Sequence, residues 1–266
     1  MTSDIDALLP DVLALARKAG QEILKIYNSD YEVETKADDS PLTAADQASH
    51  NTIVAGLAAL TPDIPILSEE SAAIPFSERS AWQEYWLVDP LDGTKEFIKK
   101  NGEFTVNIAL IQGNQAVLGV VHVPVTNIDY YGSVNSGAYK RAGDDEAQAI
   151  AVTTPAEMPV RVVGSRSHRG ELVDAYLEKL GEHVMVSMGS SLKLCLVAAG
   201  DADVYPRLGL TSEWDTAAAQ AVVEAAGGKV IKTDGTPLLY NAKEDILNPH
   251  FLVVGDTARD WTTYLD

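Results

Sequence analysis

Apolar residues recur at helical spacing over residues 4–27, where Ile5, Leu8, Leu9, Val12, Leu13, Ala16, Ala19 and Ile23 share one side and predict an amphipathic helix. A second helix is expected from Asp46 to Leu60, with Ile53, Leu57 and Leu60 on one face, Thr43 placed to cap it and Thr61-Pro62-Asp63 to stop it. Between them, residues 31–36 alternate briefly like a strand. The rhythm then shortens. Ile64-Pro65-Ile66-Leu67 and Trp86-Leu87-Val88 are short apolar runs that each empty into acids, so their ends are candidates to face one another. Residues 75–85 are polar and irregular. Strands are expected at 104–111, 115–123 and 129–140, joined through Gly113-Asn114 and broken at Pro124, with turns that favour antiparallel neighbours.

Charge, small residues and prolines gather over 141–160, which divides the chain into an N-terminal α+β lobe (1–155) and a C-terminal α/β lobe (156–266). After that boundary strands and helices alternate. Strands are expected at 161–164, 184–186, 202–205, 229–232 and 251–254, and helices at 171–180, 190–199 and 215–226, with a short last helix near 256–264. The fold class is α/β.

Composition supports this reading. In 266 residues, 46% apolar against 22% charged describes a chain able to fill large cores. The 39 acids outnumber the 20 bases to give a formal charge of -19, which disfavours nucleic-acid polymers and anionic lipid as partners. A phosphorylated small molecule stays compatible where cations or a few placed bases reverse the field locally. The single cysteine, Cys195, precludes an intrachain disulfide, and no apolar run is long enough to cross a bilayer, so a cytoplasmic protein is expected.

The chemistry concentrates in Asp89-Pro90-Leu91-Asp92-Gly93-Thr94, two carboxylates in a Pro/Gly turn at a strand end. Hard oxygen donors of this kind suit magnesium, and Glu69 and Glu70 sit at the end of the neighbouring run. An ordinary Asx turn with solvated acids explains Asp-x-x-Asp-Gly equally well on spacing alone. Asp46 and Asp215, each at a helix start, are either capping acids or further ligands. Thr94 either caps its helix or orients a water. Gly189-Ser190-Ser191-Leu192-Lys193 is the best candidate for anion contact, with Arg207 and the Gly164–Arg169 run as further polar candidates. No nucleoside-triphosphate or dinucleotide glycine loop occurs.

Three quoted stretches, Leu67-Ser68-Glu69-Glu70-Ser71, Trp86 through Thr94, and Trp214-Asp215-Thr216-Ala217-Ala218, resemble in that order the motifs of the inositol monophosphatase superfamily of lithium-sensitive, magnesium-dependent phosphatases. The resemblance covers about residues 35–255. Asp92 through Phe97, Gly164 through His168, and Gly189 through Ala198 on to Tyr205-Pro206-Arg207 are similar to its branch of bacterial 3'(2'),5'-bisphosphate nucleotidases. The resemblance implies a layered α-β-α-β-α sugar-phosphatase fold and two or three magnesium ions. It implies Glu69, Asp89 and Asp215 as ligands, Asp92 as a ligand shared with a second ion, Leu91 through its carbonyl, and Asp46 at a further ion. Thr94, assisted by Glu69 and beside Asp92, would activate the attacking water. Gly93 and Thr94 would hold the phosphate, with Lys95, His168, Ser190, Ser191, Lys193, Arg207 and Asp215 on the substrate side. Glu70 and Glu213 are implied to lie just outside the ligands.

The implied reaction is hydrolysis of the 3'-phosphate of adenosine 3',5'-bisphosphate to AMP and phosphate, with 3'-phosphoadenylyl sulfate as a second substrate. The alternatives are an inositol, fructose or related sugar phosphatase with the same ions, and a metal-dependent sensor that binds a phosphorylated metabolite without cleaving it. A monomer or a homodimer is expected, and peripheral association with the inner membrane remains compatible.

Overall fold

The computed structural model describes residues 5–29, 44–164 and 170–265. The expected strand at 31–36, the Thr43 cap and His168 lie outside the described residues. Helix α1 (Ile5–Tyr27) buries the apolar stripe read from the sequence, and α2 (Ala44–Leu60) buries Ile53 and Leu57 beside it. Both cover one face of a seven-stranded sheet. Its strands follow chain order: β1 (Ile66–Ser68), β2 (Glu84–Asp92), β3 (Thr105–Gln112), β4 (Gln115–Val123), β5 (Ile128–Ser133), β6 (Gly137–Ala142) and β7 (Gln148–Ile150). Short helices α3 (Phe76–Arg79) and α4 (Thr94–Ile98) flank β2.

Two details depart from the sequence reading. The expected strand at 129–140 is a hairpin, because the chain reverses between Ser133 and Gly137, whose φ of 78° is in the left-handed region. Residues 148–150, inside the expected boundary, add an edge strand.

The second sheet has five strands in the order β11-β12-β10-β8-β9: β8 (Val160–Gly164), β9 (His183–Ser187), β10 (Val204–Arg207), β11 (Lys229–Lys232) and β12 (Phe251–Val254). Helix α5 (Glu171–Leu180) covers its outer face, where Tyr176, Leu177 and Leu180 meet Val160, Val162, Val204 and Leu252. Helices α6 (Leu192–Ala198) and α7 (Ala217–Ala225) lie between the sheets. Alternation along the strands explains the layering. In β2, Trp86 and Val88 face α1 and α2, whereas Tyr85 and Leu87 face the helices between the sheets. In β8, Val162 faces α5 and Val163 faces inward. The resulting order is α-β-α-β-α, as the resemblance implied. Gly119 permits the tightest of these contacts: a Cβ there would lie 2.0 Å from the Ala218 carbonyl oxygen of α7.

Candidate active site

Strands β1 and β2 run parallel, with Ser68 opposite Val88, so both deliver their C-terminal ends to one edge. Glu69 opens a 3-10 turn there, and Asp89 and Asp92 follow in β2. The Leu91 N–H donates to Asp89 Oδ1 at 3.0 Å, and the pairing of β2 with β3 slips between Asp89 and Asp92. That bulge separates the acids from a plain ladder. Gly93, with φ 99°, turns the chain into α4 at Thr94, and a Cβ at this position would crowd the Glu103 carbonyl and Phe104. Ser49 Oγ donates to the Pro90 carbonyl at 2.7 Å and fastens α2 to the turn, with Asp46 buried on the same helix.

Asp215 arrives from the other half. It ends the 3-10 turn Glu213–Asp215 and accepts from the Ser212 N–H at 2.9 Å, while Thr216 takes the N-cap position of α7. The reading of Asp215 as the cap of the long helix is therefore corrected: it serves the turn before that helix. The expected helix at 190–199 likewise starts only at Leu192, because Ser190 has a φ of 42°.

The acids sense one another. Glu69 is pushed up to about 8 by burial and then by the charges of Asp215, Asp46, Glu70 and Asp92. Asp89 is raised by burial and by Glu69, Asp92 and Asp215. Asp215 is pushed up to about 7 by burial and by Asp92, with Ser212, Arg207 and Lys193 pulling the other way. Such a set is unstable as a group of bare anions. A hard divalent cation would favour the charged forms, so the donor set fits magnesium. Among the described residues no group of three or more His, Cys, Asp or Glu side chains stands close enough to hold a metal ion as it is.

Above the acids opens a cleft of about 180 Å³, lined by Asp92, Gly93 and Glu96 from the first half and by Ser190, Ser191, Lys193, Arg207 and Asp215 from the second. Lys193 Nζ donates to the Ser190 carbonyl at 2.6 Å and sits over the Tyr205 ring, its pKa lowered by burial. Arg207 Nη2 donates to the Leu210 carbonyl, leaving a buried Nε with no partner among the described residues. A buried donor without a partner beside a cleft suits an anionic ligand.

The structure thus brings together most of the residues singled out from sequence. Glu69, Asp89 and Asp46 act on one another electrostatically but do not line the cleft, and Thr94 begins α4 directly after the cleft residue Gly93 without lining it. Leu91 is buried in the turn. Lys95 is exposed and does not line the cleft. Glu213 is fully buried and accepts from the Asn241 N–H at 2.8 Å. Sequence reasoning missed Glu96, Thr211, Thr216 and Phe251 as cleft residues. Glu96 stands inside a recognised motif and was findable there; Phe251 reads only as a core strand.

The chain belongs to the inositol monophosphatase family, whose model matches residues 5–259. Among its relatives, the 3'(2'),5'-bisphosphate nucleotidase CysQ of Salmonella typhimurium is 50% identical, over 92% of this chain and 99% of its own length. CysQ of Haemophilus influenzae is 40% identical over 96% of this chain and 95% of its own length. The crystal structure of CysQ from Bacteroides thetaiotaomicron superimposes with a TM-score of 0.85 at 41% identity, covering 98% of this chain and all of that one. A Thermotoga maritima inositol monophosphatase shares the fold, with a TM-score of 0.78 at 24% identity over 97% of this chain and 96% of that one.

Proposed function

We propose that the chain is a magnesium-dependent 3'(2'),5'-bisphosphate nucleotidase that converts adenosine 3',5'-bisphosphate to AMP and phosphate, and that it also accepts 3'-phosphoadenylyl sulfate. The observation that carries this reading is the cleft itself, where acids from the first half meet Lys193 and Arg207 from the second. It is what a substrate with two separated anionic groups requires, one at the ions and one at fixed bases. The half-identical relatives bearing that enzyme name support the same choice.

Glu69, Asp89, Asp92, Asp215 and the Leu91 carbonyl would hold magnesium, with Asp46 serving a further ion, two or three in all. Bound magnesium lowers the pKa of water and neutralises charge on the attacking and leaving oxygens. The chain's own residues do the positioning. Thr94 orients the attacking water and, as the oxygen closes on phosphorus, takes its proton while passing its own hydroxyl proton to the Glu69 carboxylate. Opposite, the bond from phosphorus to the ribose oxygen breaks, and the departing oxygen takes a proton from a solvent water to become the 3'-hydroxyl of AMP. The Gly93 and Thr94 N–H groups would hold the transferred phosphoryl oxygens as charge develops on them. Lys193 and Arg207 hold the second phosphate, and Ser190 contacts the nucleotide. A cytoplasmic site of action accords with the one cysteine, Cys195, being buried and unpaired.

The test is phosphate release from adenosine 3',5'-bisphosphate and from inositol monophosphate at matched magnesium. The expected ratio favours the nucleotide by on the order of a hundredfold, because unmet buried donors penalise a ligand lacking the second anion. Faster turnover of inositol monophosphate would move the assignment to a sugar phosphatase. Binding of the nucleotide without phosphate release would leave a sensor.

A further inference from the structure

Strand β3 spends most of its side chains on the two cores, yet Thr105 and Asn107 are polar and fully buried. Buried hydroxyl and amide groups are costly unless hydrogen-bonded. Their partners lie across the interface between the halves, in the turn before α6. Thr105 Oγ1 is 2.8 Å from Ser191 Oγ and 3.3 Å from Ser190 Oγ, and Ser191 Oγ is 2.9 Å from Asn107 Oδ1. The Ser191 N–H donates to Asp92 Oδ2. The turn is pressed close: Gly189 N–H donates to Glu103 Oε2 at 2.8 Å, and a Cβ at Gly189 would lie 2.9 Å from Glu96 Cγ.

Elementary chemistry fixes the direction of this chain of bonds. A carbonyl oxygen only accepts, so the Ser191 hydroxyl donates to Asn107 and must accept from Thr105. The Asn107 Nδ2 protons are then left on the side of the acids. Asn107 pairs across the ladder with Asp89, and its Nδ2 is buried with no hydrogen-bond partner among the described residues. The reversed amide would set a carbonyl oxygen against a carboxylate, an electrostatically unfavourable arrangement.

We propose that Asn107 is a positioning residue that, through Thr105 and Ser191, braces the Ser190–Ser191 turn against the metal-holding turn and fixes the Asp92 carboxylate for magnesium. This rests on the reading of Asp92 as a magnesium ligand given above. One consequence concerns the two serines. The Ser191 N–H and hydroxyl are both engaged inside the brace at short range, whereas Ser190 Oγ makes only long contacts of 3.3 and 3.5 Å, so Ser190 is the freer of the two to meet the substrate.

The test uses the full chain and reads magnesium binding without substrate, from the free magnesium concentration at which the melting temperature is half-shifted, alongside kcat and KM for adenosine 3',5'-bisphosphate. Asn107→Leu and Thr105→Val are expected to raise the magnesium midpoint about tenfold, within the range for groups that orient metal ligands. Both should lower kcat at fixed magnesium with KM within twofold of wild type. Thr105→Ser, which retains the hydroxyl, should keep the wild-type midpoint. The brace is overturned if Thr105→Val and Asn107→Leu melt lower without magnesium yet keep the wild-type midpoint, a purely structural effect. It is also overturned if Thr105→Ser behaves like Thr105→Val. A wild-type chain with no magnesium-dependent shift removes the metal-site reading itself and the brace with it, an outcome visible before any variant is made.

Discussion

At the scale of the residue, Asp92 links the two halves. It lies in the β2 turn, accepts from the Ser191 N–H of the other half, lines the cleft, and feels Lys193 and Glu96. Asp92→Asn keeps the shape and removes the charge. It is expected to lower phosphate release by on the order of a hundred- to a thousandfold, with an unchanged far-ultraviolet circular dichroism spectrum. Near-normal turnover by this variant would remove Asp92 from the machinery. A second residue, Asp129, answers to a different force. Burial pulls its pKa up, but hydrogen bonds from His122 Nδ1 at 2.7 Å and Arg17 Nε at 2.8 Å outweigh burial and hold it below its ordinary 3.8. A depressed carboxylate stabilises the fold above its unfolded pKa, and that stabilisation is lost as pH falls through the lower folded value. Asp129→Asn is therefore expected to cost about 3 kcal/mol near neutral pH. The gap to wild type in urea melts should close as pH drops below 3.8. A gap that stays constant down to that acid range would contradict the pairing.

At the scale of the element, the two sheets are held apart and together by α6 and α7, and the closeness of α7 to β4 depends on one missing side chain. Gly119→Ala would drive a Cβ into the Ala218 carbonyl, a backbone atom with no rotamer to yield. The expected cost is about 3 kcal/mol, at the upper end of ordinary overpacking, read from the urea midpoint; an unchanged midpoint would mean that α7 slides freely. Most elements were legible because their periodicity is local: the stripe of α1, the alternation of β3 and β4, and the glycines closing α7. The hairpin at 128–142 was not, since Asn135-Ser136-Gly137 is a modest turn signal inside an otherwise strand-like run. Asp215 was read onto the wrong element because the Ser212 capping interaction consumes it one turn early. The brace on β3 was hidden for another reason. Thr105 and Asn107 are unremarkable in sequence, and their partners are 86 and 84 residues away.

At the scale of the whole molecule, the carboxylates assigned to magnesium come from the edge of the seven-stranded sheet and from the turn that opens α7 in the layer between the sheets. An ion binding them ties the halves together and stabilises the fold by linkage. With free magnesium a hundredfold above its dissociation constant, the gain is about 2.7 kcal/mol. Chelation should reverse it in denaturant melts, and Asp89→Asn should lose most of it; an equal gain in that variant would place the ion elsewhere. This arrangement was legible in part. The ordered acidic motifs are contiguous in sequence and announce themselves, whereas the wall of the cleft opposite them is assembled from Tyr205, Thr211 and Phe251, which look like core and loop until folded.

The parallel pairing of β1 with β2 sets the acids at the edge of one sheet, while Ser190, Lys193 and Arg207 belong to the turn and strand of the other half. On the proposed reading, ligand choice resides in the second stretch, and bond breaking in the first with one acid, Asp215, lent by the second. Exchanging residues 190–207 is therefore expected to retune which phosphate ester is held while leaving the acids at 69–92 in place, a graft that a panel of phosphate esters would score directly.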